Sequence, residues 1–79
     1  MERELILKRV YRHFKGMLYY VSELGIDSET GEEVVIYKQL YPPYKTYVRP
    51  KKMFLSETDF EKYPDAKQKY RFELVERER

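Results

Sequence analysis

The sequence predicts a mostly β domain, a small SH3-like barrel or roll of about five short antiparallel strands with at most one or two helical turns. Three observations carry this. Turn-forming residues at Asp27–Gly31 sit between two runs rich in β-branched and aromatic residues. Tyr70, Phe72 and Leu74 alternate with Lys69, Arg71 and Glu73. Nine Tyr and four Phe, with no Trp, supply the large apolar areas that a small core needs. Closure into a barrel is expected because it also removes sheet edges; an OB-like barrel and an open antiparallel sheet with a helical turn are the alternatives.

Along the chain, residues 10–15 (VYRHFK) read as a first strand closed by Gly16, with Leu5 and Leu7 extending it or forming a short helical turn. The arms of the hairpin are residues 18–24 (LYYVSEL) and 33–41 (EVVIYKQLY), and the second has apolar residues at both parities, so both of its faces should touch protein. Pro42 and Pro43 lack amide donors and end that strand. Residues 46–49 (TYVR) resume pairing until Pro50, ahead of residues 51–54 (KKMF) in a further short strand or a tight turn. Ser56-Glu57-Thr58-Asp59 has the spacing of a helix cap and predicts one helical turn ended by Pro64. The last strand follows, with Val35, Tyr37, Val48, Phe54, Phe72 and Leu74 as the expected core.

At 79 residues, 42% hydrophobic and 38% charged, the chain suits a single domain (1–79) with its core in about 8–75 and a solvated charged tail at 76–79. It has no cysteine, so apolar packing rather than disulfides must stabilise it. The longest apolar run is the five residues 17–21, too short for a bilayer, and the first residues lack the pattern of a secretory signal. A soluble, cytoplasmic protein without membrane partners is expected, and its oligomeric state is left open.

Residues 11–16 (YRHFKG), 28–32 (SETGE), 34–37 (VVIY), Leu40-Tyr41, 48–50 (VRP), Met53-Phe54 and 71–74 (RFEL) together resemble a family of small bacterial domains known as domain of unknown function 1653. The resemblance runs in order from Tyr11 to about Leu74 and implies no activity for any residue. The chain differs from the usual pattern at Met17, at Tyr47 where a tryptophan is usual, and at Pro42-Pro43-Tyr44 in place of a Gly-rich loop.

Catalytic readings are poorly supplied. His13 is the one imidazole, Ser22, Ser28 and Ser56 stand outside any nucleophile motif, and the three scattered glycines build no phosphate loop. One histidine and no cysteine also leave a zinc site without ligands. The expectation is a non-enzymatic chain with neither cofactor nor metal. His13 itself reads either as a structural histidine bonded to a backbone carbonyl or as a pH-sensitive hydrogen-bonding group.

Charge is segregated. Residues 5–22 and 34–56 contain nine basic residues and no acid, while residues 23–33 contain five acids and no base. Folded side by side, the two basic stretches would put Arg12, His13, Lys38, Lys45, Arg49 and Lys52 on one surface, interleaved with Tyr11, Phe14, Tyr41, Tyr44 and Tyr47. Cations with stacking groups suit an anionic ligand, either nucleic acid or an acidic protein surface. The competing reading turns the tyrosines into the core and leaves the lysines as solvation. A second functional reading is a protein–protein adaptor that uses the stiff aromatic Pro42-Pro43 loop; an enzyme or accessory domain is the third.

Overall fold

The structure is a computed structural model that describes residues 3–76. Its strands are β1 (Arg9–His13), β2 (Leu18–Ile26), β3 (Glu33–Gln39), β4 (Thr46–Pro50) and β5 (Phe72–Leu74), with one short helix, α1 (Lys51–Phe54), between β4 and β5. They form one antiparallel sheet in the order β4-β3-β2-β1-β5. The outermost part of the predicted tail, residues 77–79, lies outside the described residues. Among those described, no helix is long and apolar enough to cross a membrane.

The β2–β3 hairpin forms where the turn residues place it. Asp27 Oδ1 accepts the amide of Glu29 at 2.8 Å, an Asx turn, and the Gly31 amide donates to the Asp27 carbonyl at 2.7 Å. Gly31 has φ +76°, a left-handed conformation that other residues adopt only at a cost. β3 ends two residues short of Tyr41, at Gln39, whose amide donates to the Lys45 carbonyl across the proline loop. Between Val21 and Glu23 the β2–β3 register shifts, and the bulged Ser22 hydroxyl donates to the Ile36 carbonyl at 3.1 Å.

β4 and β5 are the two outer strands, so the sheet is open and the expected closed barrel is not formed. It is nonetheless strongly curled. In a flat sheet three spacings of about 4.8 Å would separate β3 from β5 by roughly 14 Å, yet the Tyr37 and Phe72 rings lie 5.5 Å apart. Both side chains point into the concave face, where α1 inserts Phe54. Its ring stacks on Phe72 with centroids 4.1 Å apart and an 8° interplanar angle, and meets Tyr11 and Tyr37 edge-on at 5.4 and 5.2 Å. Tyr11, Tyr19, Val21, Val35, Tyr37, Phe54 and Phe72 form this core. A packed aromatic interior thus takes the place of hydrogen bonds between the sheet edges.

Two core assignments need correction. Val48 is 63% exposed, because β4 pairs Tyr47 with Tyr37 and Arg49 with Val35, which turns Tyr47 and Arg49 inward and Val48 outward beside Ile36. Leu74, close to a free edge, is half-buried. The helical turn also falls earlier than predicted, at α1. The segment after Ser56 makes turns instead: Ser56 Oγ donates back to the Met53 carbonyl at 2.6 Å, and it is Asp59 that caps, its Oδ1 accepting the Lys62 amide at 3.3 Å. Buried Thr58 ties this segment down by donating its hydroxyl to the Gln68 carbonyl at 2.7 Å.

Candidate functional site

His13 is the last residue of β1 and pairs with Phe72 of β5, so strand alternation turns it toward the concave face. Its ring lies 4.4 Å from that of Phe14 and 5.0 Å from that of Phe72. Nδ1 accepts the Lys15 amide at 3.1 Å, so in the neutral ring the proton sits on Nε2. Burial, followed by the positive charges of Lys15, Arg49 and Arg71, lowers its pKa from 6.5 to about 4. His13 is therefore a neutral donor at pH 7, encircled by three cations from three separate parts of the chain.

Arg49 reaches this face from β4. Its Nε donates to the Tyr37 hydroxyl at 3.1 Å, and its guanidinium carbon lies 5.8 Å from the centre of the Phe72 ring. The one salt bridge among the described residues joins Lys51 to Glu33 at 3.4 Å, so no described carboxylate neutralises Arg49. Further along β3, buried Gln39 organises the mouth of the β3–β4 loop: its Oε1 accepts from the Lys45 amide at 3.0 Å and from the Tyr47 hydroxyl at 3.2 Å. The Tyr19 and Tyr41 hydroxyls meet at 2.5 Å. Burial, aided by this bond, pushes the Tyr19 pKa up, so the phenol stays protonated and supplies a hydroxyl rather than a negative charge.

Four of the nine residues singled out from the sequence, His13, Tyr41, Tyr47 and Arg49, belong to this concave cluster. Arg12 and Lys38 do not. Arg12 neighbours buried Tyr11, Lys38 neighbours buried Tyr37, and alternation exposes both on the outer face of the sheet. Exposed Tyr44 and Lys45 lie in the proline loop. Exposed Lys52 lies on α1 beside a broad depression of about 630 Å³, whose lining mixes both charge signs and includes the Lys51–Glu33 pair. The basic residues are thus divided between faces, and the single surface expected from the acid-free stretches is not formed. Sequence reasoning missed Lys15, Arg71, Gln39 and Tyr37 as parts of the site. Strand alternation would have found Tyr37 and Gln39, two and four residues after inward-facing Val35.

This geometry defines a small, mostly β domain, a curled sheet whose concave face carries cations set among aromatic rings. Residues 9–74 match the model of the family described as protein of unknown function (DUF1653), and the chain belongs to that family. No curated protein and no solved structure matches the chain.

Proposed function

We propose that the domain is a non-enzymatic binding module for an anionic ligand, carried by nucleic acid or by an acidic protein surface and held at the concave cluster. The observation that carries this reading is Arg49, a half-buried guanidinium anchored by Tyr37, lying over Phe72 and unneutralised by any described carboxylate. Such a group recognises anions well, since the bond at Nε leaves the terminal nitrogens to donate in a fork. Because Arg12 and Lys38 face the other way, the ligand engages as a compact anionic group and not as a long strand tracked along a groove. Strand order, together with a helical turn between β4 and β5, supports an SH3-like description of the curled sheet. A cytoplasmic address completes the reading.

Anisotropy of a labelled short single-stranded DNA and of a labelled polyglutamate peptide, each measured across a salt series, tests it. At least one probe should bind at low salt and weaken as salt rises. Arg49→Ala should weaken that binding about tenfold and reduce the salt dependence by about one ion. Equal affinity of wild type and Arg49→Ala, with the variant's fold checked by circular dichroism, would sink the proposal, as would no binding to either probe. The adaptor reading would then lead, supported by Tyr44, 55% exposed on the proline loop.

A further inference from the structure

Beside His13, the β1–β2 turn and the segment that leads to β5 line an open recess of about 200 Å³, to which Arg49 does not contribute. One wall is aromatic, Phe14 against Tyr63 with ring centroids 4.9 Å apart. Lys15, Lys62 and Arg71 bring three cations to it, and Asp59 brings one carboxylate. The lysines are held near the wall, their Nζ atoms 5.0 Å (Lys15) and 5.6 Å (Lys62) from the centre of the Tyr63 ring. Arg71 is fixed through Nε, which donates to Ser56 Oγ at 3.3 Å. Asp59 is turned to its own backbone, with Oδ1 accepting the Lys62 amide. None of these four makes an ion pair with another described residue.

We infer that this recess is a subsite for a phosphomonoester dianion, the terminal phosphate of a nucleotide or of a short single strand. Three cations against one carboxylate leave a net charge of +2, which a dianion balances and a single carboxylate does not. The volume is below that of drug-sized sites and admits a small oxyanion with its immediate substituent. The arginine provides a planar fork and the lysines provide point charges, the two donor types that proteins use for phosphate. The half-buried face of Tyr63 offers a stacking surface for an attached base. His13 adds a neutral Nε2–H donor at the boundary with the Arg49 cluster. The inference rests on the anionic-ligand reading and gives the ligand its chemical class; an acidic protein surface becomes the competing outcome.

The test is an NMR titration of isotopically labelled wild-type protein near pH 7.5 at constant ionic strength, with inorganic phosphate, acetate, 5′-deoxyadenylate and deoxyadenosine as separate probes. Phosphate and deoxyadenylate should shift the amides of Phe14, Lys15, Lys62 and Tyr63 saturably, whereas acetate and deoxyadenosine should not. Tighter binding of deoxyadenylate than of phosphate assigns the site to a nucleotide end, and equal binding assigns it to phosphate itself. Arg71→Gln and Lys62→Gln should each weaken binding about tenfold. The His13 ring faces Lys15 on its own turn, Arg49 from β4, Arg71 beside β5, Lys62 and Asp59 from the facing segment, and Tyr19 from β2. A dianion placed among those cations should move its titration to higher pH. Shifts of equal size with acetate, or shifts confined to other residues, would overturn the inference. If DNA or polyglutamate still binds through Arg49 in that case, the subsite alone is wrong; if no anion binds anywhere, the proposed function fails with it.

Discussion

Phe72 joins the two ends of the curled sheet, and truncating it tests the architecture most directly. The side chain is 1% exposed; it stacks on Phe54 and meets Tyr19, Tyr37 and His13 edge-on. Removing the ring forfeits a transfer term of about 2–3 kcal/mol. The unfilled space then carries the cost of Phe72→Ala to about 3–5 kcal/mol. For 79 residues a total stability of about 4–12 kcal/mol is typical, so the variant should lose from about a quarter to all of it. Phe72→Leu retains part of the volume and should cost about 1–2 kcal/mol. With a urea m-value near 1 kcal/mol/M, its midpoint should fall by about 1–2 M, within reach of equilibrium denaturation followed by circular dichroism. Val48→Ala is the control, since Val48 is 63% exposed on the outer face and its truncation should cost within about 0.5 kcal/mol. A loss below about 1 kcal/mol for Phe72→Ala, or an equal loss for Val48→Ala, would show that the concave face is not the principal core.

His13 should make stability depend on pH in a defined window. Its pKa is depressed from 6.5 to about 4 by folding, so the unfolded chain takes up a proton first; the contribution is fully present above about pH 6.5 and is lost as pH falls toward 4. The depression corresponds to at most about 3 kcal/mol, and solvent screening of a half-buried ring brings this to about 1–2 kcal/mol. Urea midpoints of wild type and His13→Phe across that range measure it, and parallel pH profiles for the two would contradict the assignment. Gln39→Ala should leave the Lys45 amide and the Tyr47 hydroxyl without their acceptor. A cost of about 1–2 kcal/mol is expected, with water replacing part of the bonding at this exposed loop. Hydrogen exchange should accelerate at the Lys45 amide, and an unchanged rate would show that the Gln39 bond does not hold the loop.

Local chemistry determined what was legible in the sequence. The Asp27–Gly31 loop forms through an Asx turn and a left-handed glycine, both of which depend on those residues alone. The proline pair belongs to the loop between β3 and β4 because prolines have no amide to donate to a ladder. The alternation around Phe72 marks a strand because its side-chain period is two. Even the resemblance to the family, confirmed over residues 9–74, is a property of the linear order of motifs.

Tertiary structure alone decided which way side chains face and what gathers around them. Arg12 and Arg49 both belong to acid-free stretches, and no composition separates them; the pairing register of β1 and β4 sends one outward and the other inward. The same register exposes Val48, as apolar in sequence as Val35. Lys15 lies far along the chain from Lys62 and Arg71 and meets them only because the sheet curls and the chain folds back between α1 and β5. Sheet curvature and register arise from contacts between residues far apart in the chain, such as Phe54 on Phe72. A charge pattern read along one dimension therefore found the cations but not the side of the sheet on which each would stand.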